Sequence, residues 1–180
     1  AKRTGIGRYV FELISRITKF EHEWFFYTDK YPINCEFLNE NTKVRTLDLG
    51  IKGSRIISMQ LAAPIWAKKD RLDLFWSPNH RLPVLLSEQV ARVVTINDLV
   101  WKIVPETMHP LNKAVESCLM PSSINMSDQI ITISKSTADD LISQFKVDFR
   151  KVNPIHLGPA SIEVSKCNFS LSSLDLKKPF

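Results

Sequence analysis

The residues with the clearest chemical potential in this sequence follow a short β-branched run. Residues 91–96 read Ala-Arg-Val-Val-Thr-Ile, as a buried strand would, and Asn97 and Asp98 come directly after them. An amide and a carboxylate at the end of a strand can face a cleft and hold a polar ligand there. Asparagine cannot carry a proton near neutral pH, so Asn97 can only position a group. The structural alternative is an Asn-Asp turn that caps the loop.

A second candidate site lies near the start of the chain, where Gly5, Gly7 and Arg8 precede a helical pattern. Free backbone amides and the positive end of a helix dipole attract phosphate, and glycine permits its close approach. A tight turn that needs a positive φ is one alternative. A dinucleotide-binding loop is another, which is weakened because Val10 occupies the position of its third glycine.

A third candidate site is the proline-bounded loop at residues 77–83, which contains His80 and Arg81. The planar fork of donors on arginine suits a diphosphate. A lone histidine between prolines can equally be an ordinary surface residue. The other histidines show no ligand spacing and the three cysteines lie far apart, so no metal site is expected.

These groups need a scaffold that brings their loops together, and the apolar periodicity supplies one. It predicts helices over about residues 6–17, 55–69, 111–126 and 136–145, and strands over 23–29, 44–49, 74–76, 91–96, 129–134 and 151–157. Pro64 should kink or divide the second helix, Gly50 and Gly53 should form the turn before it, and Ser136 should cap the last helix. Alternating strands and helices predict a parallel sheet covered on both faces, with ligands at the carboxyl ends of the strands.

Composition fits one folded domain and excludes several classes of protein. The 180 residues are 44% hydrophobic and 24% charged, and the net charge of +5 is scattered, so nucleic-acid binding is not expected. An odd cysteine count without a disulfide framework indicates reduced thiols and a cytoplasmic location. The longest uncharged apolar run, within residues 56–67, is shorter than a membrane span requires. Residues 161–179 turn polar and lose their periodicity, which is typical of a linker.

In this order and spacing, the segments resemble the glycosyltransferases of family 4. The resemblance is carried by residues 3–9 (Arg-Thr-Gly-Ile-Gly-Arg-Tyr), 75–83 (Phe-Trp-Ser-Pro-Asn-His-Arg-Leu-Pro), 94–101 (Val-Thr-Ile-Asn-Asp-Leu-Val-Trp) with Pro105 and Glu106, 131–134 (Ile-Thr-Ile-Ser), and 155–158 (Ile-His-Leu-Gly). Many members of the family have a histidine at the position of Asn97, so a proton carrier is replaced here by a positioning residue.

The resemblance implies an α/β fold, a Rossmann-like parallel sheet with helices on both faces that forms the N-terminal half of a GT-B enzyme. Residues 1–160 would be the acceptor-binding domain without its first strand. Residues 161–180 would lead to an absent C-terminal domain that binds the donor, and the fragment alone would be inactive.

The same resemblance implies the reaction. A retaining enzyme would move a sugar, in our interpretation mannose, from a nucleotide sugar to a glycan or lipid-linked acceptor during surface polysaccharide or lipopolysaccharide synthesis, with no metal or other cofactor. The implied roles are as follows: catalytic, Asn97 and Asp98; donor phosphate binding, Gly5, Gly7 and Arg8; acceptor binding, His80, Arg81, Trp101, Glu106 and Ser134.

Two further interpretations remain open at this stage. The helix at residues 55–69 mixes large apolar side chains with basic ends, so it could rest on the cytoplasmic face of the membrane, although a helix that only covers the sheet has the same composition. The competing functional class is a stand-alone Rossmann-type nucleotide-binding module or a nicotinamide oxidoreductase domain.

Overall fold

The computed structural model describes residues 5–31, 38–47 and 54–158. Within these ranges the helices are α1 (Gly5–Ile17), α2 (Ser54–Asp70), α3 (Val100–Ile103), α4 (Pro110–Met126) and α5 (Lys135–Phe145). The strands are β1 (Trp24–Thr28), β2 (Thr42–Thr46), β3 (Leu74–Ser77), β4 (Ala91–Ile96), β5 (Gln129–Thr132) and β6 (Val152–Pro154). Short 3₁₀ turns occupy Pro105–Thr107 and Phe149–Lys151. The predicted turn at Gly50 and Gly53, the linker at 161–180, Cys35 and Cys167 lie outside the described residues.

All strand pairs in the described residues are parallel, as the alternation predicts. Strands β1 and β2 form one pair, and β3, β4, β5 and β6 form a four-stranded sheet in that order. Because parallel neighbours share one direction, the loops that follow β3, β4 and β5 emerge at the same edge of the sheet. The α/β architecture with a Rossmann-like parallel sheet is confirmed.

The core lies on both faces of β4, the second strand of the larger sheet. Val94, Thr95 and Ile96 are fully enclosed although their side chains alternate between the two faces. Met120 of α4 and Leu141 of α5 belong to the same enclosed set. The second half of this strand therefore requires the β-branched residues Val94, Thr95 and Ile96, because neither of its faces meets water there.

Several element boundaries differ from the prediction. Ser134, not Ser136, caps α5, because its hydroxyl accepts a hydrogen bond from the Thr137 amide at 3.1 Å. Strand β5 accordingly ends at Thr132, two residues early, and β6 spans only Val152–Pro154. Strand β2 begins two residues before the predicted start.

Helix α2 runs through Pro64 without interruption, so of the two predicted outcomes, a kink or a division, the division is wrong. Its inward face consists of small side chains, including Ala63 and Ala67, which are buried. Close packing of this face onto the protein can hold the helix together where Pro64 removes one backbone hydrogen bond.

A groove with a volume of about 900 Å³ separates β1 from β3. Its walls include residues 24–28 of β1 and 74–77 of β3, and apolar side chains line it from both helices that flank it: Val10, Ile14 and Ile17 of α1, and Ile56, Met59 and Ala63 of α2. In the described part of the chain, no backbone hydrogen bond joins β1 to β3.

Candidate functional site

The loops that follow β3 and β4 are joined by the backbone of His80. Its amide donates to the carbonyl of Thr95 at 3.0 Å, which carries the pairing of the two strands past the end of β3. The φ of His80 is 57°, a left-handed conformation that costs energy for a residue with a side chain. This turn directs the imidazole into the protein, where the whole residue is only 6% exposed.

The imidazole of His80 holds the first residue after β4. Its Nε2 accepts a hydrogen bond from the backbone amide of Asn97 at 3.0 Å, and the side-chain Nδ2 of Asn97 lies at the same distance from Nε2. Asn97 is itself only 8% exposed. Its side chain therefore faces the imidazole rather than the open cleft that the sequence predicts. The alternative that His80 is an ordinary surface residue is wrong.

The first turn of α5, which follows β5, reaches the same point. The hydroxyl of Thr137 donates to the carbonyl of Asn97 at 3.3 Å, and it also lies 2.9 Å from the hydroxyl of Ser134. Ser134 caps α5 and contacts this hydroxyl, so it acts on Asn97 indirectly. At the carboxyl edge of the sheet, the loop after β3 and the first turn of α5 are thus both hydrogen-bonded to Asn97 on the loop after β4.

Below these loops lies a buried ionic cluster. Glu116 of α4 forms an ion pair with Arg81, and its Oε2 lies 3.8 Å from Nδ1 of His80. The carboxylate side chain is 9% exposed and that of Arg81 is 21% exposed. Burial by itself raises the pKa of Glu116, but His80 and the positive charge of Arg81 lower it by more, so the net pKa lies below the ordinary value. The carboxylate is ionised at neutral pH.

Asp98 differs from its neighbour because its side chain is exposed. Its Oδ1 accepts a hydrogen bond from the amide of Val100 at 3.2 Å, the geometry of an Asx turn at the start of α3. The turn-capping alternative therefore describes Asp98, and it leaves a carboxylate at the surface of the loop.

The start of α1 is tied to β4 by a side-chain contact. Burial raises the pKa of the Tyr9 hydroxyl, and its interaction with the side chain of Thr95 lowers that pKa by less. Gly5 and Gly7 lie in the first turn of the helix, not in a loop before it, and Arg8 follows with an exposed side chain. A side chain at Gly5 would meet no atom within 4 Å. Gly5 therefore leaves open space beside the first amides of the helix.

Two predicted acceptor residues lie apart from this cluster. Trp101 packs against the core, and its indole N–H points at the sulfur of Met120 at 3.0 Å. Its ring also lies 6.2 Å from that of Phe145, between centroids. Glu106 is exposed on the 3₁₀ turn Pro105–Thr107. The structure thus joins His80, Arg81, Asn97 and Ser134 by contacts, and it does not join Trp101 or Glu106 to them.

Sequence reasoning missed Glu116, Thr137 and Tyr9. Glu116 left a detectable signal, since the buried face of α4 is made of Glu116, Met120, Ser123 and Ile124, which recur at helical spacing. A lone acid on an apolar face is unusual unless it has a partner inside the protein. Thr137 and Tyr9 have no such signal. Only the packing of separate elements brings Thr137 to Asn97 and Tyr9 to Thr95.

In the part of the chain that the structure describes, no three His, Cys, Asp or Glu side chains form a cluster that could hold a metal ion. Among residues 5–31, 38–47 and 54–158, none of the helices has the length and apolar character that crossing a bilayer requires.

Comparison with known proteins gives one family. The family model described as Glycosyltransferase Family 4 matches residues 3–158, which is most of the chain and includes every loop discussed above. No curated protein matches the chain.

Proposed function

The chain belongs to Glycosyltransferase Family 4, and we propose that residues 1–160 form the acceptor-side domain of a retaining enzyme. This enzyme moves a sugar from a nucleotide sugar to a glycan or lipid-linked acceptor. The observation that carries the proposal is that Asn97, on the loop after β4, is hydrogen-bonded to the loop after β3 and to the first turn of α5. This carboxyl edge of the parallel sheet is where α/β proteins bind their ligands.

We assign different roles to the two residues that follow β4. Both backbone polar groups of Asn97 are hydrogen-bonded, its amide to His80 and its carbonyl to Thr137, so it fixes the shape of the loop. Asp98 is exposed on that loop and presents its carboxylate to an acceptor hydroxyl. A carboxylate is a good hydrogen-bond acceptor for a sugar hydroxyl. If the departing phosphate of the donor takes the proton of the acceptor hydroxyl, Asn97 does not need to act as a base.

The donor phosphates lie, in this proposal, at the start of α1. The positive end of a helix dipole attracts phosphate, and Gly5 leaves open space beside the first turn of α1. Tyr9 connects this end of the helix to Thr95, two residues before Asn97 in the sequence. Donor and acceptor groups would therefore meet above the end of β4. His80 and Arg81 act from beneath the loop, and Trp101, Glu106 and Ser134 extend the acceptor side.

Mannose and a role in surface polysaccharide synthesis are finer proposals that depend on the family resemblance. A panel of nucleotide sugars offered to the full-length enzyme tests them. Transfer from a mannose donor in preference to glucose and galactose donors is the expected result, and transfer from another hexose alone would replace mannose in the proposal while leaving glycosyl transfer intact.

In the proposed domain organisation, a further strand precedes α1 and residues 161–180 lead to a donor-binding domain. The groove between β1 and β3 supports the first of these two proposals. Strand edges line it on two sides and the apolar faces of α1 and α2 line the others, so a short apolar strand would complete one continuous sheet. We expect slow amide exchange along β1 and β3 in the full-length protein and fast exchange in residues 1–180 alone. Equal exchange in both would contradict the added strand.

We further propose that α2 rests on an anionic membrane at the cytoplasmic face. Ile57, Leu61 and Ile65 recur every four residues and are 60%, 58% and 68% exposed, and Lys68 and Lys69 follow them at the surface. An exposed apolar stripe beside cations suits an anionic lipid interface. Leu61→Glu should lower co-sedimentation with anionic vesicles, whereas Leu111→Glu, at a 66% exposed site on α4, should not. Equal sedimentation of both variants and wild type would remove the membrane from the proposal.

The site assignment is tested by Asn97→Ala and Asp98→Ala in the full-length enzyme. Each should lower turnover by about 100-fold, the size expected when a reacting group is misplaced by about 1 Å. Matched controls are Asn125→Ala and Asp139→Ala, which remove the same groups from exposed helix positions and should leave turnover unchanged. Wild-type turnover in both Asn97→Ala and Asp98→Ala would remove the assignment.

A further inference from the structure

We propose that Glu116 positions Asn97 by fixing which nitrogen of His80 carries the proton. Glu116 is buried on α4, His80 lies on the loop after β3, and Asn97 begins the loop after β4. The inference depends on the proposed function of Asn97, and it adds a residue that touches neither substrate nor Asn97 itself.

The proton assignment follows from the hydrogen bonds of the imidazole. A backbone amide can only donate, so Nε2 of His80, 3.0 Å from the Asn97 amide, must present a lone pair. The Asn97 Nδ2 group at 3.0 Å is a second donor directed at the same lone pair. A neutral imidazole then carries its proton on Nδ1, which faces Oε2 of Glu116 at 3.8 Å.

Charge balance requires the same neutral form. The positive charge of Arg81 already compensates the carboxylate of Glu116 in this enclosed cluster. A charged imidazole would add an unpaired buried charge, and its second N–H would face the N–H of Asn97. The geometry therefore selects the neutral imidazole of His80 with its proton on Nδ1.

A carboxylate is the side chain that can support this tautomer. Oε1 of Glu116 accepts from Arg81, and the buried Oε2 has no hydrogen-bond partner among the described residues. Oε2 faces Nδ1 of His80 at 3.8 Å, so the negative charge of the carboxylate favours a proton on that nitrogen. A glutamine of the same shape would turn an NH₂ group either toward Arg81 or toward His80, and in the latter case it would favour the proton on Nε2. With the proton on Nε2, the N–H of His80 would face the backbone N–H of Asn97, and the hydrogen bond between them would be lost.

The activity test uses two substitutions of His80 in the full-length enzyme. Glutamine is long enough to place an acceptor oxygen near the position of Nε2, whereas asparagine reaches only the position of Nδ1. A purely structural role in the left-handed turn predicts the opposite order, because asparagine tolerates φ 57° better than glutamine does. We expect His80→Gln to keep most of the wild-type kcat and His80→Asn to lose about tenfold, the size of one hydrogen bond.

Glu116→Gln should also lower kcat about tenfold and leave the KM for the nucleotide sugar unchanged, because the loop that it disturbs carries the acceptor side. Glu88→Gln, which removes an exposed carboxylate from a turn, is the matched control and should match wild type. Higher kcat in His80→Asn than in His80→Gln, or wild-type kcat in Glu116→Gln, would overturn the proposal.

A spectroscopic readout separates this inference from the proposed function. In ¹⁵N spectra of the full-length protein, the imidazole of His80, assigned by its loss in His80→Gln, should be protonated on Nδ1, and Glu116→Gln should move the proton to Nε2. A charged imidazole, or the Nε2–H form in wild type, would contradict it. If Asn97→Ala lowers turnover while the tautomer is unaffected by Glu116→Gln, only the positioning by Glu116 fails. Wild-type turnover in both Asn97→Ala and Asp98→Ala would instead remove the proposed site.

Discussion

Among the residues that the structure describes, two buried carboxylates on helices pair with arginine, and they differ in how many of their oxygens have hydrogen-bond partners. Asp70, at the end of α2, accepts from Nε of Arg45 at 2.6 Å, from a second nitrogen of that arginine, and from the hydroxyl of Tyr27 at 2.8 Å. Glu116, on α4, has an ion pair with Arg81 on one oxygen and no hydrogen bond on the other. Both oxygens of Asp70 therefore have hydrogen-bond partners, whereas one oxygen of Glu116 has none.

The two clusters also join different parts of the fold. The Asp70 cluster connects β1, β2 and α2, and it lines the groove beside β1. The Glu116 cluster lies beneath the loops that hold Asn97. Fully bonded polar networks stabilise one arrangement, whereas unsatisfied buried atoms mark places where a protein retains a polar group at a cost in stability. We infer that the Asp70 cluster serves stability and that the Glu116 cluster serves the site.

The largest effect on stability should come from Asp70→Ala. The side chain of Asp70 is 4% exposed, and breaking a buried ion pair costs several kcal/mol. Because Asp70 also lines the open groove, we expect a loss of about 2 kcal/mol, below the full cost of an enclosed pair. Urea unfolding of the full-length protein measures the loss, and turnover per folded molecule should be unchanged.

The matched control is Asp128→Ala, which removes an arginine partner that is 47% exposed. It should cost less than Asp70→Ala. A loss of turnover in folded Asp70→Ala, or equal losses of stability in the two variants, would remove the distinction between the two clusters.

A smaller effect is expected from Tyr27→Phe, which removes one hydrogen bond to Asp70 and keeps the ring. The ring packs against those of Trp66 and Phe75, with centroids 5.2 and 6.0 Å away, so the apolar contacts should persist. We expect a loss of about 1 kcal/mol of unfolding free energy. Tyr31→Phe, at a 61% exposed position, should leave the urea midpoint unchanged. Wild-type stability of Tyr27→Phe would show that the hydroxyl adds nothing to the cluster.

The smallest effect is a change in pH dependence at Glu116. Burial raises its pKa and the contacts with His80 and Arg81 lower it by more. A carboxylate with a lowered pKa stabilises the fold above its unfolded value of about 4.3, and that contribution is lost as the pH falls through the native pKa. The unfolding free energy of Glu116→Gln should therefore fall less between pH 5 and pH 3 than that of wild type, as an acid titration of urea midpoints would measure. Glu88→Gln should follow wild type, and parallel curves for all three proteins would contradict the ionised state of Glu116 in the fold.

Periodicity in the sequence was enough to predict the elements and their parallel arrangement. The β-branched residues 91–96 became β4 within the predicted bounds, and α2 and α4 lie within one residue of theirs. Boundaries were less predictable where two residues could serve the same purpose. Ser134 and Ser136 can both cap a helix, and the backbone path after β5 decides in favour of Ser134.

The chain by itself determined the fold class, the family motifs and the order of the loops, because apolar repeats and strand ends are local properties of a sequence. Only the tertiary structure decided that Asn97 is buried against His80, that Asp98 remains exposed, and that Glu116 lies beneath both. The hydrogen bond between His80 and Asn97 joins residues 17 positions apart, and that between Arg81 and Glu116 joins residues 35 positions apart. Their distances depend on how α4 packs against the sheet, and no local pattern of residue types specifies that packing.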